Sequence, residues 1–137
     1  MHFKEQTFVK FGKTIVYVAK PAESLAFFEK AFGLKTRFAH ESGFGELDTG
    51  ETKLAFASRE LGQYHLPQGY VAAAPPPTQM SFEIALVTES VEETFERAVA
   101  AGAQPLREPE AKPWGQTGSY LRCPDGTFVD LSSPMPA

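Results

Sequence analysis

The sequence predicts an α+β fold in which one plan, a strand, a helix and three further strands, is written twice. Three observations carry this. An alternating run, KTIVYVA at 13–19, precedes a helical pattern, PAESLAFFEKAFG, and a second such pair follows at FEIALVT and SVEETFERAVAAG. Each helical pattern stops at a glycine just before a strand candidate, and FFEKAFGL at 27–34 echoes FERAVAAGA at 95–103. The element order matches through both halves, as in a repeat of roughly 70 residues.

In the first strand Lys13, Ile15 and Tyr17 share one face and Thr14, Val16 and Val18 the other, the pattern of a half-buried strand. Pro21 suits a first helical turn, whose N–H groups have no partner within the helix. Leu25, Phe28 and Phe32 recur at helical spacing, and Gly33 supplies the stop. Short strands follow near 35–40, 43–49 and 52–58, punctuated by Gly43, Gly45 and Gly50. In the second half FEIALVT reads as a strand, Ser90 with Glu93 as an S-x-x-E capping box, and Val91, Phe95 and Ala98 as one helical face before Gly102. Strands then fit near 104–108, 116–122 and 127–132.

Between the halves, SRELGQYHLPQGYVAAAPPPTQ is too long and too rich in Pro, Gly and Ala for a simple turn. It reads as either an inter-module linker or a loop closing over a site. The expected organisation is one domain over 1–137, with a first module at 8–60, an inter-module loop at 61–79 and a second module at 80–137.

Composition narrows the function classes. A hydrophobic content of 42% with 22% charged residues is ordinary for a soluble globular chain, and a net charge of −4 offers no broad footprint for nucleic acid. MHFKEQ has no apolar signal core, and nowhere do 18 apolar residues run together, so a cytoplasmic protein without a membrane partner is expected. The lone Cys123 has no partner for a disulfide, a redox pair or a zinc site. No HExxH, GxxxxGK or GxSxG occurs, and GFGE at 43–46 lacks the following helix of a dinucleotide loop.

The segments TIVYVAKPAESLAFFEKAFGL, FEIALVTESVEETFERAVAAGA and KPWGQTGSYLRCPDGTFVDLSSP resemble, in order and spacing, the vicinal oxygen chelate superfamily of glyoxalase I, bleomycin-resistance proteins and extradiol dioxygenases. The resemblance spans nearly the whole chain. It implies two βαβββ modules whose mixed sheet curls into a half-barrel around a cavity, with helices outside, and a homodimer that pairs modules across its interface. In the family's metal enzymes four side chains from four strands converge on one divalent cation. Carried onto this sequence, those positions fall on Lys13, near Lys53, on Glu83 of Glu83-Ile84-Ala85-Leu86, and on Asp130, four residues after the glycine of the PDG turn.

Protonated lysine has no lone pair to give a metal, and two carboxylates alone make a poor transition-metal site, so no divalent metal or other cofactor is expected. Lys13, Lys53, Glu83 and Asp130 instead balance as two positive and two negative charges, a candidate ion-pair cluster in the cavity. Tyr17 shares the face of Lys13, and Trp114 stands in KPWGQ either as a cavity wall for flat ligands or as a loop anchor on the core. His65 is a lesser ligand candidate in the long loop, while His2 and His40 match no ligand position. Arg122 either points inward to bind an anion or is solvated or salt-bridged.

The function expected is metal-free binding of a small organic molecule, aromatic ligands included. The alternative is a lyase, isomerase or dioxygenase of the same superfamily, metal-dependent or metal-free, with Glu83 as a candidate base opposed by neighbouring lysines. A purely structural dimer, with its cavity filled, is the third class.

Overall fold

Each half of the chain builds its own four-stranded mixed sheet in the computed structural model, which describes residues 10–136. Module 1 comprises β1 (Lys13–Val18), α1 (Pro21–Phe32), β2 (Lys35–His40), β3 (Phe44–Asp48) and β4 (Lys53–Ser58), with sheet order β1-β4-β3-β2. A short helix α2 (Arg59–His65) follows. Module 2 comprises β5 (Ile84–Val87), α3 (Val91–Ala101), β6 (Gln104–Ala111), β7 (Thr117–Arg122) and β8 (Phe128–Ser132), with the matching order β5-β8-β7-β6. In each module the first strand runs parallel to the last. The two sheets do not close on one another into a barrel.

The alternation in β1 decides which side of sheet 1 is buried. Val16 and Val18 meet Leu25, Phe28 and Ala31 of α1, and the Phe28 ring lies 5.1 Å from that of Phe56 on β4. Burying one such side chain is worth about 2 kcal/mol. Phe95 and Ala98 of α3 join the same core with Leu121, Val129 and Leu131 of sheet 2. The helices pack side by side, and Arg97 Nε donates to the Lys30 carbonyl at 2.9 Å. Each sheet thus has an outer face on its helix and an inner face turned away from it.

Three local expectations change. The region after β4 holds α2, whose first turn is capped by Ser58 Oγ accepting from the Leu61 N–H at 3.2 Å. The Ser90–Glu93 capping box is not made: the Ser90 side chain caps nothing, and its N–H goes to Thr88 Oγ1. The strand read at FEIALVT begins only at Ile84, which leaves Glu83 just ahead of it.

The segment after α2 is a strap fastened to both modules. The Ala73 N–H donates to the Tyr17 carbonyl at 2.9 Å, the Tyr70 ring packs 4.9 Å from that of Tyr17, and Arg122 of β7 donates to the carbonyls of Ala74 and Thr78.

The sheet edges differ in their protection. The outer strands β2 and β6 carry Lys35 and Arg37, and Pro105, Arg107 and Pro109, which discourage further pairing. β5 has no charge or proline within Ile84–Val87, and β1 has none after Lys13, so these two edges are unguarded.

Candidate functional site

On the inner face of sheet 1 the parallel register sets Lys13 opposite Lys53, Ile15 opposite Ala55 and Tyr17 opposite Ala57. Two facing ammonium groups repel, and each takes its own carboxylate. Lys13 Nζ donates to Glu46 Oε2 at 2.7 Å, while Lys53 lies 3.7 Å from Asp48 Oδ1 and donates to the Gly50 carbonyl. Glu46 is 1% exposed and accepts a second cation, Arg37 Nη1, at 3.0 Å. Arg37 reaches it because the β2–β3 register shifts between Thr36 and Phe38. The hydrogen bond from Lys13 holds the Glu46 carboxyl below the ordinary carboxylate range, against the opposing effect of burial. Three cations against two carboxylates leave this face positive.

Sheet 2 carries the opposite sign. Asp130 stands opposite Ala85 of β5 and Tyr120 of β7, and Glu83 lies beside it. Partial burial and then Asp130, which repels a second negative charge and hydrogen-bonds Glu83 when one carboxyl holds a proton, raise the Glu83 carboxyl above its usual range. This reverses the expectation that lysines lower it. Ser132 Oγ also donates to Asp130. The Tyr120 phenol is raised, first by Asp130, then by burial and Glu83. Lys112 Nζ sits 5.6 Å from the Tyr120 ring centroid and pairs with Glu110 at 3.0 Å.

The four sequence-derived charges therefore form two groups. Glu83 and Asp130 are together, Lys13 and Lys53 face each other, and among the described residues no ion pair joins the lysines to Glu83 or Asp130. The expected four-membered ion-pair cluster is not formed within one chain. Lys53 of module 1 and Glu83 of module 2 do both line an open cleft of about 680 Å³ between the modules, with Phe32, Leu34 and Leu54 among its apolar lining. The residue that sequence reasoning missed is Glu46. Its alternation with Phe44 in GFGEL was the available signal, but its partners depend on strand order.

The sequence profile of the Glyoxalase/Bleomycin resistance protein/Dioxygenase superfamily matches residues 10–131. The chain belongs to that superfamily. Solved structures with the same fold include a glyoxalase-related enzyme from Fulvimarina pelagi, 22% identical over 93% of this chain and 89% of that one, with a TM-score of 0.78. A glyoxalase/bleomycin resistance protein/dioxygenase family enzyme from Burkholderia phytofirmans PsJN is 19% identical over 91% and 98% of the two chains, with a TM-score of 0.74. A third, from Nocardioides, is 17% identical over 96% and 89%, with a TM-score of 0.70. No curated protein matches the chain.

The superfamily's divalent metal can be tested against the donors present. Glu83 precedes β5 by one residue, so its position on the ladder is one inner-face rung before the Ala85–Asp130 pair. The same relation in module 1, starting from Lys13, leads to Ala55 on β4, with Lys53 one rung earlier. The two module 1 positions thus hold an ammonium and a methyl group, neither of which donates a lone pair. No cluster of three or more His, Cys, Asp or Glu side chains occurs among the described residues. The residues do not fit the superfamily's metal.

Trp114 is 57% exposed on the turn after β6, where Nε1 donates to Gln116 Oε1 at 2.7 Å; it is neither packed on the core nor among the lining of the cleft. His65 is exposed at the end of α2 against Tyr64, His40 binds Ser42, and His2 lies outside the described residues. Cys123 is 3% exposed, and burial followed by Asp125 raises its thiol well above the usual range, which disfavours the thiolate. No helix among the described residues is long and apolar enough to cross a membrane.

Proposed function

We propose that the chain is a metal-free, small-molecule-binding member of the superfamily, acting as a homodimer in which the inner face of module 1 meets that of module 2 from a second copy. The observation that carries the metal-free reading is the pair of donorless positions, Lys13 and Ala55, which correspond in module 1 to Glu83 and Asp130 in module 2. Three features support the pairing of faces: opposite charge, unguarded edges at β1 and β5, and apolar inner-face side chains left open, with Ile15 41%, Phe38 39% and Val87 63% exposed. Closed in this way, the positive face of Lys13, Arg37 and Lys53 would meet the negative pair Glu83 and Asp130 across two chains, around a cavity bordered by Tyr17 and Tyr120 and suited to a small organic ligand.

Elemental analysis of dialysed protein tests the first part. Less than about 0.1 transition-metal ion per chain is expected, and one Zn, Ni, Mn or Fe per chain would overturn it.

A second reading, a metal-free isomerase or lyase, draws support from the raised carboxyl of Glu83, which is nearer the working range of a general base than an ordinary glutamate. Proton exchange at a carbon next to a carbonyl, lost in Glu83→Gln, would favour it over simple binding.

A further inference from the structure

Arg122 ends the inner face of module 2 on the side of the strap, and it is 4% exposed. It alternates with Tyr120 along β7 and stands opposite Phe128, so Tyr120, Arg122, Phe128 and Asp130 share one face. Its guanidinium lies 4.6 Å from the Phe128 ring centroid. Nε donates to the Gly126 carbonyl at 3.2 Å, and Nη2 donates to the carbonyls of Ala74, at 2.9 Å, and Thr78. All these acceptors are neutral, and no carboxylate pairs with Arg122 among the described residues. The side chain is thus neither solvated nor salt-bridged.

Nη1 makes no hydrogen bond among the described residues. It is not sealed in either, since Thr127 Oγ1 is the single enclosed side-chain polar atom there that lacks a partner. One nitrogen of a walled-in cation therefore remains open, while fastening the strap occupies only Nε and Nη2. A buried guanidinium without a counter-charge favours an anion supplied from outside, and the N–H groups of Nη1 can donate to one.

We propose that Arg122 anchors the ligand of this face and that the ligand is a small aromatic monoacid, its carboxylate on Nη1 and its ring against Tyr120 and Phe128. This rests on the reading of the inner face as a ligand surface. Asp130 lies one inner-face rung along β8 from Phe128, and its carboxylate disfavours a second anionic group at the far end of the ligand while accepting a hydroxyl there.

Calorimetric titration of the full chain with 4-hydroxybenzoate and with 4-hydroxybenzamide tests this, together with the Arg122 Nε–Hε resonance, assigned by its loss in Arg122→Lys. The acid should bind at least about tenfold more tightly than the amide and shift that resonance. Arg122→Lys keeps the charge but not the Nη1 nitrogen that the strap contacts hold in place, so it should lose about tenfold for the acid and little for the amide. Tighter or equal binding of the amide would overturn the proposal and leave the ligand-binding reading standing. Failure of both compounds to bind would overturn both. If Arg122→Lys does not fold, the acid-to-amide ratio and a resonance assigned by through-bond experiments in the parent chain decide alone.

Discussion

Glu46 and Glu83 are carboxylates on equivalent inner faces, and their neighbours push them in opposite directions. Lys13 lowers Glu46, so its ionised form stabilises the fold above the unfolded carboxyl range, and that contribution is lost as pH falls through the lowered folded value. Burial and Asp130 raise Glu83, so its contribution is fully present at low pH and is lost as pH rises through the raised folded value. At pH 7, Glu46→Gln should cost about 2 kcal/mol in urea unfolding, because Lys13 and Arg37 lose their shared anion, and the deficit should shrink below about pH 4. Glu83→Gln should show no loss at pH 7 and a relative gain over the parent that fades on acidification. Parallel stability profiles for the two variants would contradict this reading. Alternation makes the face of both residues legible in the sequence, although only Glu83 is singled out by it. Their partners were not, because Arg37 reaches Glu46 only through a register shift, and Lys13 prefers a neighbour two strands away to anything near it in sequence.

At the scale of elements, the hairpin between β7 and β8 shows why a glycine is required. Gly126 has φ of 99°, and a Cβ there would run into the backbone of Ala74 in the strap. Gly50 has nearly the same conformation, φ of 97°, with nothing close by. Gly50→Ala should therefore cost about 1 kcal/mol, from backbone strain alone, and Gly126→Ala about 3 kcal/mol, measured by urea unfolding. Equal losses would mean that the strap moves aside freely. Both main helices and the strands on either side of them could be read from hydrophobic period and glycine stops. The short α2 could not: it spans seven residues, less than a reliable helical period, and its cap Ser58 is also the last residue of β4. The capping box at Ser90 had the right residues, but Thr88 Oγ1 takes the Ser90 N–H that Glu93 would have accepted, so local chemistry two residues upstream overrode the motif.

For the whole molecule, the duplicated plan was legible because it is a repetition of order. How the duplicates meet was not, since α1 against α3 and the strap are contacts between distant segments. If inner faces pair between copies, their exposed apolar side chains hold the assembly. Sedimentation equilibrium should then give the mass of two chains for the parent and of one for Ile15→Asp or Val87→Asp, each folded by circular dichroism. A parent that remains a single chain at micromolar concentration would remove the cross-chain face from consideration.

The strap's fastenings are unevenly shared along the polypeptide. Tyr70, Ala73, Ala74 and Thr78 all lie downstream of the exposed Pro67–Gly69 stretch, yet Ala73 holds Tyr17 of module 1 and Tyr70 closes over Gly62 of α2. A piece beginning near Gln68 would thus carry its own handle for gripping the piece before it. Covalent continuity at that point makes the docking intramolecular, so a chain divided there should assemble from halves produced together only at concentrations that offset the lost freedom of two separate pieces.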